Sequence, residues 1–176
     1  MNQQVDLFTE NEEPAYALDT SSFLNILKIT DDEPYAQDVM PGLLEFLEKK
    51  LKSGKIICPI AIYKELKKRE GEVEGLKDWL KEYRHCFYDL DQAQADAMRP
   101  ITNEYEVYST DKGDYGDLAI MGFCKSRKLT VITSEVRKDQ HKKLHPKIPN
   151  VCGEFDIPCV SLIEFLRREG VVLRLS

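Results

Sequence analysis

An α/β fold built on parallel strands, with helices over both faces of the sheet, is what this sequence predicts. Two patterns carry the expectation. Short β-like runs alternate with helical patterns along nearly the whole chain, which implies parallel strands joined by right-handed crossovers. The run "LTVIT" (129–133) is apolar almost throughout, as a strand covered on both faces requires. At 176 residues the chain is long enough for one complete core and short for two. Residues 15–176 therefore read as one domain, and the polar, acidic residues 1–14 as a disordered tail.

The elements follow in order. "YAL" (16–18) is a strand that leads into the helical pattern "TSSFLNILKI". In "GLLEFLEKKLKSG" (42–54), Leu43, Leu44, Leu47 and Leu51 share one helical face before a Ser53-Gly54 stop. "KIICPI" (55–60) is a strand, "AIYKELKKRE" a helix, "EVEGLKDWLKEY" a further helix and "HCFYDL" a strand. Asp91 and Gln94 have the spacing of a reciprocal cap opening "QAQADAMRPITNEYEVY", a helix that Pro100 is expected to bend or end. "GDLAIMGFCKSRK" is a helix feeding the strand "LTVITS". The last pair is the strand "IPCVS" and the helix "LIEFLRRE", with Ser161 and Glu164 as a capping box and Gly170 as its end. There is no internal repeat.

Composition narrows the function classes. A chain with 42% hydrophobic and 32% charged residues is an ordinary globular one. No apolar run approaches the roughly 20 residues of a membrane span, and the start lacks a basic-then-apolar leader, so a cytoplasmic protein is expected. Five cysteines lie mostly in apolar stretches and read as reduced, buried thiols. A net charge of −6 supplies no overall basic field for coating nucleic acid, and leaves room only for a local phosphate site. There is no Gly-rich phosphate loop, no G-x-S-x-G elbow and no G-x-G-x-x-G fingerprint, which argues against nucleotide kinases, serine hydrolases and dinucleotide enzymes.

In open α/β sheets, ligands gather at the carboxyl ends of the strands. Four acids stand at such places: Asp19 after "YAL", Glu65 in the helix after "KIICPI", Asp117 at the start of "DLAIMGFC", and Glu135 directly after "LTVITS". If they converge, their mutual repulsion has to be relieved by protons or by a cation, and hard oxygen ligands favour Mg²⁺ or Mn²⁺. Each acid also has a plain structural reading. Asp19 suits a helix cap, Glu65 a solvated face paired with Lys68 or Arg69, Asp117 the positive end of its helix with Asp114 as a competitor, and Glu135 a loop start. The segment 134–150 sets Arg137, Lys138, Lys142, Lys143 and Lys147 against Glu135 and Asp139, a local balance of +3. It is either a solvated loop or a contact for RNA phosphates. "HKKLH" (141–145) with Cys152 and Cys159 makes zinc conceivable, but neither a metalloprotease Glu nor a C-x-x-C pair accompanies it.

"LDTSSF", "IYKEL", "DLAIMGFC" and "VITSE" resemble, in order and in local setting, the four acidic motifs of PIN-domain ribonucleases, and Thr133 matches with them. The run "KIPNVCGEFDIPCVSLIEFLRREG" (147–170) is similar to the C-terminal part of a PIN-like family of bacterial and archaeal proteins, and the resemblance covers most of residues 15–170. Where PIN domains often have Asn two positions after the first acid, this chain has Ser21, whose hydroxyl still makes hydrogen bonds. The resemblance implies a three-layer α/β/α sandwich with a mainly parallel sheet and metal-dependent hydrolysis of RNA. Asp19, Asp117 and Glu135 are then expected to hold one or two Mg²⁺ or Mn²⁺ ions, with Glu65 binding through water or orienting the attacking water. Ser21, Thr133 and Asp114 are expected behind them, and Arg137, Lys138, Lys142 and Lys143 on the RNA. The resemblance further implies a toxin of a toxin–antitoxin pair, a homodimer, and an antitoxin protein as partner. The rival expectations are a PIN-like module that holds RNA or protein without cutting, and a metal-dependent nuclease or phosphatase acting on another substrate.

Overall fold

A computed structural model of the chain describes residues 11–28, 35–109, 115–139 and 145–171. Its strands are β1 (Tyr16–Leu18), β2 (Cys58–Pro59), β3 (Phe87–Tyr88), β4 (Thr130–Thr133) and β5 (Cys159–Ser161). Every pairing between them is parallel, with β4 between β1 and β5, and β2 beside β3. A parallel bridge from Tyr16 to Ile56 ties the two groups, so the order across the molecule is β3-β2-β1-β4-β5. All three residues of β1 are buried, because helices cover both faces of this short sheet in an α/β/α sandwich.

The helices are α1 (Thr20–Leu27), α2 (Leu43–Lys52), α3 (Ile60–Lys68), α4 (Leu76–Glu82), α5 (Gln92–Glu104), α6 (Tyr115–Arg127), α7 (Ile148–Glu154) and α8 (Leu162–Arg168). In α2, Leu43, Leu47 and Leu51 face the core as their spacing requires. On one face of the sheet the α8 ring Phe165 meets Tyr16 at 4.9 Å and the α2 ring Phe46 at 5.9 Å. In α6, Gly116 and the whole run Leu118–Cys124 are buried, since this helix packs against β1, β2 and β4 and is itself covered by α5. Gly122 permits that close cover: a Cβ there would lie 2.3 Å from Met98 Cγ and 3.3 Å from the Gln94 carbonyl oxygen. Gly122→Ala is therefore expected to cost about 1–3 kcal/mol, read as a lower urea midpoint at unchanged m-value.

Several local expectations are corrected. The strand in "KIICPI" is short because Pro59, lacking an N–H, ends β2 and directly precedes α3. "HCFYDL" is a 3-10 turn, Arg84–Cys86, followed by the two residues of β3. α5 runs through Pro100 to Glu104. Pro100 and Asp96, whose carbonyl loses its helical partner, both lie on the exposed face. Asp91 caps α5 by accepting from the Gln94 N–H at 2.8 Å, but the Gln94 side chain donates to the Ala119 carbonyl at 2.9 Å and makes no reciprocal cap. Helix α7 had no counterpart in the sequence reading, because seven residues opening on Ile-Pro carry too little periodicity to show.

Other expectations hold. Ser161 caps α8, accepting from the Glu164 N–H at 3.2 Å, although the Glu164 carboxylate takes Arg168 at 3.3 Å in place of closing the box, and Gly170, at φ +67°, follows the helix end. All five cysteines are free thiols. Of the expected acidic tail, residues 1–10 lie outside the described residues, and Glu12 is held against the end of α2. The Glu12 N–H donates to the Ser53 carbonyl at 2.7 Å, and its carboxylate takes Lys50 at 3.1 Å and the Ser53 hydroxyl at 2.9 Å. Among the described residues, no helix is long and apolar enough to cross a membrane.

Candidate functional site

Parallel pairing brings the carboxyl ends of β1 and β4 to one edge. The register sets Leu18 opposite Ile132, and the Asp19 N–H extends the ladder by one bond to the Ile132 carbonyl at 3.0 Å. Asp19 is thereby held at the strand end while it caps α1, accepting from the Ser22 N–H at 2.7 Å on Oδ1. Its other oxygen accepts from the Thr133 hydroxyl at 2.6 Å. The Thr133 oxygen in turn accepts from the Glu135 N–H at 3.1 Å, so one hydroxyl links the two acids. Asp19 is only 4% exposed. Burial pushes its carboxyl pKa above the ordinary value, against the bonds from Ser22 and Thr133, and the nearby charge of Glu135 pushes the same way.

Glu135 is half-buried and turned toward the start of α7. Its Oε1 pairs with the Lys147 ammonium, and its Oε2 accepts from the Ile148 N–H at 2.8 Å. Asn150 holds the same loop from the same helix, accepting from the Lys138 N–H at 3.0 Å and donating to the Lys138 carbonyl at 2.8 Å.

Glu65 comes from α3. The Thr20 hydroxyl donates to its Oε2, which connects it to the residue after Asp19. The Glu65 carboxylate lies flat against Gly116, where a Cβ would stand 2.0 Å from Oε1. Asp117, in the first turn of α6, is the next residue along. Its charge reaches Cys152, whose thiol pKa is pushed up chiefly by its hydrogen bond with Cys159 and by burial, with Asp117 adding to the shift. Cys159 in turn feels the charges of Asp19 and Glu135. The Thr133 hydroxyl thus links Asp19 with Glu135, while Glu65 lies against Gly116, the residue before Asp117. As the side chains stand, no three Asp, Glu, His or Cys among the described residues group around one ion position.

Ser21 is exposed and, with Thr20, Leu24, Glu65, Lys68 and Arg69, lines an open cleft, whereas the serine whose N–H bonds to Asp19 is Ser22. The first helical turn rotates Ser22 inward, where its Oγ lies 2.8 Å from the Ser134 Oγ, to which Asn25 also donates at 3.3 Å. Arg69 bonds to Glu72 at 2.9 Å and not to Glu65. Arg137 and Lys138 are exposed. Asp114, Lys142 and Lys143 lie outside the described residues. The reading of the sequence missed Thr20, Ser22, Gly116, Lys147 as a partner of Glu135, and Asn150. Only Gly116 left a signal, a glycine directly before an acid at a helix start.

The family model described as Domain of unknown function (DUF4411) matches residues 16–173. No curated protein matches the chain.

Proposed function

We propose that this chain, which belongs to the DUF4411 family of unknown function, is a divalent-metal-dependent ribonuclease that hydrolyses RNA phosphodiesters. The observation that carries the reading is a buried Asp19 at the end of β1, bonded through Thr133 to the loop of Glu135. Two acids separated by more than a hundred positions are held side by side at one sheet edge, where burial disfavours the charge of Asp19. Such a pair needs a proton or a cation.

The donor set fits Mg²⁺ or Mn²⁺. All four groups are carboxylates, the hard oxygen ligands these ions take. Asp19 accepts from Ser22 and Thr133, and a carboxylate has about four lone-pair sites, so capacity remains. Glu135 already holds a cation, the Lys147 ammonium. Asp19, Asp117 and Glu135 would hold the ion, and Glu65 would orient water. When bound, the ion lowers the pKa of a coordinated water and neutralises charge on the phosphoryl oxygens. The chain's own contribution is positioning. Thr133 and the Ser22 N–H hold Asp19, Thr20 holds Glu65, and the Ile148 N–H holds Glu135. Exposed Arg137 and Lys138 suit phosphate contacts beside that edge.

Within the same proposal, the resemblance to PIN-domain ribonucleases supports RNA as substrate, a toxin role, a homodimer, and an antitoxin that meets the acids with Arg or Lys. RNA cleavage is expected with Mg²⁺ or Mn²⁺ and is expected to vanish in chelator; chelator-resistant cleavage defeats the assignment. A non-cleaving scaffold is the second reading, favoured by the protein partners that Glu65 and Glu135 already have. Metal titration separates the two. A metal site at 100 times its Kd adds about 2.7 kcal/mol, a Tm rise of about 5–10 °C for a chain of this size, whereas a scaffold shows none.

A further inference from the structure

We infer that Lys147 is a built-in counter-ion for Glu135 that competes with a divalent cation for that carboxylate and is displaced when the cation binds. This rests on the metal-dependent reading above and adds to it a residue that sets how tightly the ion is held.

Both Glu135 oxygens are taken from the start of α7, one by the Lys147 ammonium and the other by the Ile148 N–H. The two contacts differ in kind. The N–H is fixed by the backbone of a buried residue, Ile148, which is 1% exposed. The ammonium rides on a long, flexible stem, and its side chain is 34% exposed against 22% for Glu135. Lys147 can therefore leave into solvent without opening the core, while the N–H stays to orient the carboxylate. A lysine is a compact, strongly hydrated charge that is readily returned to water.

The charges favour the exchange. Asp19 and Glu135 are joined through the Thr133 hydroxyl, and the ammonium lies on Glu135. A dication balances both, but it must evict the ammonium from Glu135 or sit beside a like charge. Lys147 thus stabilises the ion-free chain and weakens ion binding, as linkage between two ligands of one group requires.

Removing the charge should leave the loop in place, because Ile148 and the paired Asn150–Lys138 bonds do not depend on the ammonium. The test is calorimetric titration of the full chain with Mn²⁺, using wild type, Lys147→Gln and Lys147→Arg. Lys147→Gln is expected to bind Mn²⁺ at least about tenfold more tightly, and Lys147→Arg, which keeps the charge, to bind within about threefold of wild type. Equal or weaker binding by Lys147→Gln overturns this inference and leaves the metal-dependent reading standing. No Mn²⁺ binding by wild type overturns both. A second measurement uses the unaltered chain: acetylation of Lys147 by an amine-reactive ester, followed by mass spectrometry, should speed up several-fold when Mn²⁺ is added, while Lys50 in its distant ion pairs keeps its rate. An unchanged rate at Lys147 under saturating Mn²⁺ overturns the inference independently of how the variants fold.

Discussion

Asp19→Asn is expected to cut the proposed RNA cleavage by at least about a hundredfold and at the same time to make the metal-free fold less sensitive to rising pH. The two effects share one cause, the loss of a buried negative charge. Asparagine is as good a helix cap as aspartate, so its Oδ1 still accepts from the Ser22 N–H. Its amide can donate to the Thr133 oxygen, which has room for a second donor beside the Glu135 N–H. The cap and the link to β4 survive, and what is lost is the proposed metal ligand. Removing groups that only orient a metal ligand costs about 10–100-fold, so removing the ligand itself should cost about 10²–10³-fold or more.

The sign of the pH effect follows from the direction of the shift. The folded-state pKa of Asp19 is raised, by burial first. The protonated carboxyl is thus favoured in the fold, and this contribution is fully present below the unfolded value of about 3.9. It is lost as pH rises through the folded pKa. In chelator, wild type should therefore lose stability across that window, and Asp19→Asn should not, so the difference between them grows with pH. Urea denaturation at a series of pH values from 4 upward measures it. A pH-independent difference, or wild-type cleavage by the variant, contradicts this account.

Gly116→Ala should separate the site from the fold. The added Cβ would stand 2.0 Å from Oε1 and 2.4 Å from Cδ of Glu65. These atoms end a flexible side chain, so the overlap is relieved by swinging the carboxylate away from Thr20 and not by moving the backbone. Alanine also favours the helix by up to about 1 kcal/mol, which offsets part of the cost. The Tm should move by only a few degrees, whereas cleavage should fall by about tenfold to a hundredfold, as a displacement of about 1 Å at a reacting centre allows. Adding Gly116→Ala to Glu65→Ala should then change almost nothing more. Additive losses in the double variant would show that Gly116 acts through something other than Glu65.

Much of the architecture was written locally. Strand and helix alternation, the leucine face of α2, the caps at Asp19, Asp91 and Ser161, and the stops at Gly54 and Gly170 are all effects of near neighbours, and they stand in the structure. Where a residue had two local readings, near neighbours could not choose. Asp19 proved to be both a cap and a buried acid, because its second oxygen meets a hydroxyl 114 positions away. Ser21 and Ser22 are equivalent in sequence, and only the turn of α1 against β4 decides that Ser22 faces inward. Glu65 does not pair with Arg69 four residues on, which takes Glu72 instead.

By itself, then, the order of residues determined an α/β chain with acids at the ends of its strands, because hydrogen-bond periodicity and capping act over a few positions. Only the tertiary structure decided which acids became neighbours and which cation each one met. Parallel register brings β1 beside β4, a bare glycine lets α3 set Glu65 beside α6, and the start of α7 delivers Lys147 to Glu135. Electrostatic energy depends on distance through space, and the distances between these groups exist only once the chain has folded.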